Sequence, residues 1–304
     1  MIKNFDSLFE LMDAFPDEQS CVDHLRSIRW RDGEFCPHCG CGRVYHFSDR
    51  KTFKCGDCRA RFSIKVGTIF EDTKIPLRKW YMAIWLITNH PKGVASTTLA
   101  KDLKITQKSA WFVLHRLRHA ARTQSFNAPL KGVVESDTTF VGGKEKNKHS
   151  KDRSGDTKGG KGKEVVLGIL EREGELRTAH VKDTKARTLK GEVLKNVAAG
   201  STVMTDDDRA FMGLGKGYHH HTVNHSAGEY VRHYCLHTNG IESVWALLKR
   251  QIVGIHHWVS PTHLSKYLDE MTWRFNRRDM SVTDRMNELF GCVEGRLTYK
   301  ALIS

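Results

Sequence analysis

The spacing of apolar residues divides the chain into segments with different predicted structures. Residues 1–29 and 74–124 carry apolar residues at helical spacing, and Pro16 splits the first of these segments into two short N-terminal helices. Residues 30–70 instead contain short aromatic and β-branched runs, which are typical of a small β module. The first part of the chain is therefore predicted to be helical, with a β module between its helices.

Strand-like patterns begin after residue 130 and alternate with a helical one. The predicted order is three strands, a helix and a further strand, over residues 133–141, 164–170, 176–181, 186–197 and 202–205. This order predicts an α/β domain, which we place at residues 130–290. Within that domain, residues 144–163 are rich in Lys, Gly and Asp and nearly free of apolar residues, so they cannot bury enough surface to order themselves.

The composition adds a strong positive charge to this multidomain organisation. The 304 residues include 49 Lys and Arg against 35 Asp and Glu, a formal net charge of +14. This excess favours a polyanionic partner such as DNA over a basic surface with no specific partner. The basic segment 144–163 is then either a solvated hairpin loop or an arm that contacts DNA.

The same sequence argues against membrane insertion and secretion. The longest apolar run, residues 80–87, is far shorter than the roughly 20 residues that a bilayer span needs. The N-terminus lacks a basic flank followed by an unbroken apolar stretch, so it does not look like a secretory signal. We therefore expect a cytoplasmic, nucleoid-associated protein with no membrane partner.

Two Cys-x-x-Cys pairs within residues 30–70 predict a zinc site. Cys36 and Cys39 form the first pair, and Cys55 and Cys58 follow after fifteen intervening residues, a spacing found in zinc-binding modules. Four thiolates complete a tetrahedral shell and leave no open position, so the zinc would be structural. The alternative, free thiols, leaves a segment of roughly 40 residues without enough core to fold.

A helix-turn-helix is predicted within residues 74–124. Ser96 is a candidate N-cap for a short helix that ends near Leu103, and Thr106 is a candidate N-cap for a second helix. Two short helices joined by a tight turn are typical of DNA-reading modules, although an ordinary helical hairpin gives a similar pattern.

The second helix of this pair supplies candidate DNA contacts. Gln107, Lys108 and Ser109 lie near its start, where side chains reach base edges in such modules. Arg116 and Arg118 follow two turns later and are expected to contact phosphates.

Three carboxylates in the second half of the chain form the candidate catalytic site. Asp137 and Asp206 are each placed at the end of a strand run, and Glu242 lies in a predicted helix. Apolar residues at helical spacing leave Glu242 and Lys249 together on the other side of that helix. Converging carboxylates bind hard cations, and two such ions promote phosphodiester displacement. The sequence thus favours Mg²⁺ or Mn²⁺ at Asp137, Asp206 and Glu242.

Each carboxylate also has a simpler structural interpretation. Glu242 forms a helix-capping pair with Asn239 in one reading, and residues 206–208 form a solvated turn in another. Asp137 interrupts a strand-like run, where a carboxylate has little structural use. The combination, in this order along the chain, favours the metal site.

Several motifs resemble those of zinc-ribbon insertion-sequence transposases of the D-D-E superfamily. They are Cys-Pro-His-Cys at 36–39, Ser-Asp-Thr-Thr-Phe-Val-Gly-Gly at 136–143, Thr-Asp at 205–206, Val-Asn-His-Ser at 223–226, Asn-Gly-Ile-Glu at 239–242, Leu-Leu-Lys-Arg at 247–250, and Arg-Phe-Asn-Arg-Arg at 274–278. The resemblance implies an RNase H-like catalytic domain in which Asp137, Asp206 and Glu242 bind the metal. Thr138 departs from the pattern, in which an acidic residue follows the first aspartate.

The resemblance also implies an activity and its partners. Such an enzyme binds double-stranded DNA at the terminal inverted repeats of a mobile element, cleaves phosphodiester bonds and joins the freed ends to target DNA, as a dimer or larger synaptic complex. Lys249 and Arg250 would then contact the DNA backbone. Two rival interpretations are an RNase H-like nuclease that cuts without joining, and a DNA-binding regulator without catalysis. The histidines at 219–221 and 225 are expected in a strand facing DNA, with a second metal site as the alternative.

Overall fold

A computed structural model describes residues 4–122, 128–143, 149, 151, 160, 162–223 and 237–303. The chain divides into two units, of which the first combines residues 1–122 with 279–304 and the second comprises residues 123–278. Most of the predicted basic loop lies outside the described residues. The α/β domain was expected to continue to residue 290, and this expectation is wrong, because residues from 279 onward belong to the first unit.

The first unit begins with two helices on either side of Pro16, as predicted. Helix α1 covers Leu8–Ala14 and helix α2 covers Glu18–Arg29. The carboxylate of Asp17 caps α2 by accepting a hydrogen bond from the backbone amide of Ser20 at 2.7 Å.

The predicted β module is a three-stranded antiparallel sheet. Its strands are β1 (Val44–His46), β2 (Thr52–Cys55) and β3 (Arg61–Ser63), with β2 in the centre. Phe53 and Phe62 are register partners on one face of this sheet, and both are buried. That face supplies the core of the module.

Three further helices follow the β module in the first unit. They are α3 (Leu77–Asn89), α4 (Ser96–Leu103) and α5 (Gln107–Ala120). Lys104 adopts a left-handed conformation between α4 and α5, and Thr106 caps α5 through its side chain, as expected. The cap of α4 differs from the expectation, because Ala95 occupies that position and Ser96 is the first helical residue.

The second unit is built on a mixed five-stranded sheet. Its strands are β4 (Val133–Val141), β5 (Glu164–Glu171), β6 (Leu176–Val181), β7 (Thr202–Asp206) and β8 (His219–Val223). They lie in the order β6-β5-β4-β7-β8. Strands β4 to β6 pair antiparallel as consecutive neighbours, whereas β7 pairs parallel with both β4 and β8.

Helices cover the sheet of the second unit on two sides. Helix α6 (Ala186–Asn196) contributes Leu189 and Val193 to one apolar core. Helices α7 (Asn239–Gln251) and α8 (Pro261–Asn276) share a separate core with other strand residues. Gly168 permits a close approach of α7, since a Cβ at this position would lie 2.5 Å from the ring of Trp245.

The first unit ends with two helices from the C-terminal part of the chain. Helix α9 (Val282–Gly291) packs against α2 and α3, and its Phe290 contacts the ring of Tyr81 with 4.5 Å between centroids. Helix α10 (Tyr299–Ile303) follows, and its Tyr299 contacts Phe112 of α5.

Candidate functional sites

The four predicted zinc ligands converge on one point in the β module. Their sulfur atoms all lie within 4.8 Å of one another. The Sγ atoms of Cys36 and Cys58 are 3.7 Å apart, and those of Cys39 and Cys55 are 3.5 Å apart. Four sulfurs bound tetrahedrally at the usual zinc–sulfur length are about 3.8 Å apart, so this cluster fits a zinc ion.

Backbone amides donate hydrogen bonds to two sulfurs of the cysteine cluster. The amide of His38 donates to Sγ of Cys36, and that of Asp57 donates to Sγ of Cys55, both at 3.4 Å. Such donors stabilise thiolates, the form of cysteine that binds metal. With all four positions of a tetrahedral ion filled by sulfur, the site is structural.

Asp137 and Asp206 lie on neighbouring strands of the second unit. Strand β4 pairs parallel with β7 through Ser136 and Thr205, and each aspartate is the next residue along its strand. Asp206 ends β7 as expected, but Asp137 lies inside β4, which continues to Val141. The paired part of β4 and β7 therefore ends where the two carboxylates begin.

Helix α7 brings further groups to Asp137. The indole nitrogen of Trp245 donates to Oδ2 of Asp137 at 2.8 Å, and the amide of Thr138 donates to Oδ1 at 2.7 Å. Glu242 lies three residues before Trp245, and its negative charge also acts on Asp137. The hydrogen bond from Trp245 thus holds the helix that carries Glu242 beside the two strand carboxylates.

The electrostatics of Asp137 reflect this crowding. Burial raises the pKa of Asp137 to about 6, and the charges of Asp206 and Glu242 act in the same direction. The hydrogen bonds from Thr138 and Trp245 oppose the shift. A group of carboxylates that repel one another in a partly buried place is chemically suited to a hard divalent cation.

These carboxylates are spaced more widely than the cysteine ligands. In the part of the chain that the structure describes, only the cysteine cluster brings three or more ligand atoms within 4.8 Å of one another. The charges of Asp206 and Glu242 nevertheless both act on Asp137.

Helix α7 presents its polar and apolar sides as predicted. Ile241, Trp245 and Leu248 are buried in the core, whereas Glu242 and Lys249 are exposed. Arg250 is exposed beside Lys249. These two cations are therefore accessible to a charged partner on the helix that carries Glu242.

Glu135 is a residue near the candidate site that the sequence analysis missed. Its side chain is only 1% exposed and forms an ion pair with Arg172, with 2.8 Å between Nε and Oε1. It also accepts a hydrogen bond from the backbone amide of Ile241 at 2.9 Å. The signal in the sequence is a charged residue two positions before Asp137, which places both on one face of the strand.

The start of α5 carries the predicted polar residues on the surface. Gln107 and Lys108 are exposed, and Ser109 is partly exposed. Gln107 donates a side-chain hydrogen bond to Ser96 at 2.9 Å, and the amino group of Lys108 lies 5.3 Å from the centroid of the Tyr299 ring. These contacts define an accessible tip of the helix pair.

The expectation that Arg116 and Arg118 contact phosphates is wrong, because both side chains are buried. Their exposed fractions are 6% and 1%. Arg116 donates from Nη1 to the carbonyls of Ile69 at 2.7 Å and Glu71 at 3.0 Å. Burial lowers the pKa of Arg116. This arginine joins α5 to the residues that follow the β module, so its role is structural.

The structure describes three of the four histidines at 219–221 and 225. His219, His220 and His221 lie in β8, as expected, and Nε2 of His220 is 3.0 Å from the hydroxyl of Thr205. His225 lies outside the described residues. In the described part of the chain, none of these histidines belongs to a cluster of metal-ligand atoms.

Two parts of this chain match known protein families. Residues 16–61 match a transposase zinc-ribbon domain, and residues 129–276 match an ISXO2-like transposase domain. The first match contains the four cysteines, and the second contains Asp137, Asp206 and Glu242.

The chain is also similar to individual proteins, among them a curated sequence and a solved structure. The sequence is an uncharacterised protein in transposable element ISH50 of Halobacterium salinarum, which is 28% identical over 270 residues, or 84% of this chain and 90% of that protein. The structure is a pre-cleavage Mos1 transpososome, matched at 10% identity over 72% of this chain and 80% of that one. Its TM-score of 0.25 is too low to carry a conclusion. Among the described residues, no helix is both long and apolar enough to cross a membrane.

Proposed function

Because the chain belongs to the zinc-ribbon insertion-sequence transposases with an ISXO2-like domain, we propose that it binds the terminal inverted repeats of its element and catalyses metal-dependent cleavage and strand transfer of DNA. The observation that carries this proposal is the position of Asp137 and Asp206 at the end of the paired part of β4 and β7. Trp245, in the helix that carries Glu242, donates a hydrogen bond to Asp137.

Asp137, Asp206 and Glu242 are the proposed ligands of the catalytic cation, Mg²⁺ or Mn²⁺. Bound there, the metal would supply stabilisation of the attacking and leaving oxygens of a phosphodiester. The hydrogen bond from Trp245 fixes the orientation of the Asp137 carboxylate, and Lys249 and Arg250 attract the DNA backbone through their charge. The mixed sheet with helices on both sides supports an RNase H-like domain.

Recognition of the DNA ends is proposed for the first unit. The exposed tip formed by Gln107, Lys108 and Ser109 follows a tight turn between two short helices, which is the geometry of a helix-turn-helix. Pairing of two element ends requires a dimer or larger complex on double-stranded DNA. The protein would act at the nucleoid.

The test separates DNA binding from chemistry with a nearly isosteric change. Asp206→Asn removes one negative charge from the set of three carboxylates but leaves the first unit unchanged. Binding to duplexes that carry the element's ends should therefore match wild type. Nicking and strand transfer with Mg²⁺ or Mn²⁺ should fall at least roughly a thousandfold, as expected when a metal ligand of a two-metal site is lost. Asp137→Asn and Glu242→Gln should behave alike.

Asp207→Asn provides the control for this experiment. It changes the same charge at the neighbouring position and should retain activity. Cleavage by Asp206→Asn near the wild-type rate would show that the ligand assignment is wrong. A wild-type protein that nicks but never joins ends would be a nuclease, and one that binds the ends without cleaving would be a regulator.

A further inference from the structure

Most arginines near the zinc module are neutralised by acidic partners. Arg29 pairs with Glu294, and Arg50 pairs with Asp23 at 3.0 Å. Arg43 pairs with Asp57. The positive charge of these residues is therefore engaged within the first unit.

One face of the three-stranded sheet carries cations without such partners. Tyr45, Lys54 and Arg61 are register partners across β1, β2 and β3, so they form one row on the sheet. Neighbouring strand residues point to opposite faces, and Phe53 and Phe62 fill the buried face. The row therefore lies on the outer face, where Tyr45 is 56% exposed and Arg61 is also exposed.

The cationic pair within this row is unfavourable in the absence of an anion. Lys54 and Arg61 stand directly opposite each other on adjacent antiparallel strands, a position in which like charges destabilise a sheet. Neither forms an ion pair with an acidic side chain among the residues that the structure describes. Arg61 instead lies over the ring of Phe47 at 5.1 Å from the centroid.

We propose that this ribbon face, formed by Tyr45, Phe47, Lys54 and Arg61, binds the phosphate backbone of duplex DNA. A phosphate placed between Lys54 and Arg61 turns their repulsion into two attractive contacts, and the Tyr45 hydroxyl adds a donor of the kind that contacts DNA backbones. The proposal rests on the proposed DNA-binding function and adds a second contact surface, separate from the tip of α5.

The repulsion between these two cations makes it possible to tell a loss of DNA binding from a loss of folding. Threonine suits a strand, so Lys54→Thr should keep the sheet and remove the like-charge pair. The thermal midpoint of the full-length, zinc-loaded protein should stay the same or rise, with one zinc per chain retained. If Lys54 were needed for folding, its substitution would lower the midpoint instead.

The test measures affinity against salt concentration for the full-length protein. The probes are a duplex with the element's ends and a mixed-sequence duplex of equal length. Lys54→Thr and Arg61→Thr should each reduce the magnitude of the slope of log K against log salt by about one on both duplexes, as expected for one lost phosphate contact. Lys51→Thr makes the same charge change just before β2 and should leave the slope within about 0.3 of wild type.

The outcomes distinguish this surface from the proposed function. Unchanged slopes in Lys54→Thr and Arg61→Thr, with wild-type binding intact, would overturn the ribbon face alone. A reduced slope of equal size in Lys51→Thr would also overturn it, because the effect would then be one of net charge. A wild-type protein that binds neither duplex would refute both proposals. Reduced slopes in a protein that never cleaves DNA would support the surface and refute the chemistry.

Discussion

Glu135 in strand β4 accepts a hydrogen bond from the backbone amide of Ile241 in helix α7 at 2.9 Å. Two residues after Glu135 lies Asp137, and directly after Ile241 lies Glu242. The contact therefore ties the strand that carries one proposed metal ligand to the helix that carries another. Gly240 leaves room for it, since a Cβ there would lie 2.8 Å from Oε2 of Glu135.

We expect Glu135→Gln to impair cleavage without impairing DNA binding. The glutamine keeps an oxygen for the Ile241 amide but loses the ion pair with Arg172, which holds the carboxylate in place. A slight displacement of α7 should raise the Mg²⁺ concentration for half-maximal nicking several-fold. Glu135→Ala should lose activity and also unfold more easily, by about 1–3 kcal/mol, since it leaves the buried backbone amide of Ile241 without its acceptor.

A Mg²⁺ titration of nicking, with gel shift and thermal unfolding in parallel, checks this prediction. Arg187→Gln is a suitable control because it removes a surface charge from α6, away from this network. A Glu135→Gln protein with the wild-type Mg²⁺ requirement and rate would show that Glu135 only stabilises the fold.

The strands and the exposed position of Glu242 could be predicted from the sequence, because each leaves a local signal. The strand predicted at residues 133–141 matches β4, and the helix predicted at 186–197 matches α6 to within one residue. The apolar stripe of α7 places Glu242 on the exposed side, as observed. Such features depend on the period of a single element, which neighbouring residues suffice to reveal.

Features that depend on distant packing could not be read in the same way. Helical spacing shows which residues share a side of α5, but it does not show how many sides of the helix are covered by other parts of the protein. In the structure, four consecutive residues from His115 to Arg118 are buried. The partners of Arg116 are carbonyl groups 45 and 47 residues earlier in the chain. Likewise, no local pattern indicates that α9 packs against α2 and α3.

The burial of Arg116 leads to a prediction about stability. Arg116→Met should leave the carbonyl groups of Ile69 and Glu71 without their donor and destabilise the protein by about 1–3 kcal/mol. The salt dependence of DNA binding should stay unchanged, because the side chain is buried. Lys108→Ala, at the exposed tip of α5, should do the opposite by lowering the slope by about one with little change in stability. Chemical denaturation of both variants would measure the change in stability, and salt titration would measure the change in slope. The opposite assignment of the two effects would contradict this prediction.

The cysteine cluster predicts zinc-dependent folding of the first unit. Cys36→Ser replaces a buried thiolate ligand, so zinc should fall from one per chain to nearly none and the β module should unfold. Cys292→Ser changes an exposed cysteine outside the cluster and should retain full zinc. Elemental analysis and circular dichroism test the pair, and a wild-type protein purified without zinc would contradict the assignment.

The last prediction concerns the pH dependence of stability that Asp137 contributes. Its folded pKa of about 6 lies above the ordinary value of 3.8, so protonation favours the folded state. The stabilisation is present below about pH 4 and is lost as the pH rises through 6. The difference of roughly two units corresponds to about 3 kcal/mol at most.

Asp137→Asn is neutral at every pH and should escape this loss. In zinc-loaded protein without added Mg²⁺, the variant should gain stability relative to wild type as the pH rises from 5 to 7, and the gain should level off above 7. Both proteins share the cysteine cluster, so pH effects on zinc binding cancel in the difference. Added Mg²⁺ should narrow the gap at pH 7 by stabilising only the wild type. A constant difference between the two thermal midpoints across this range would mean that Asp137 is not held among repelling carboxylates.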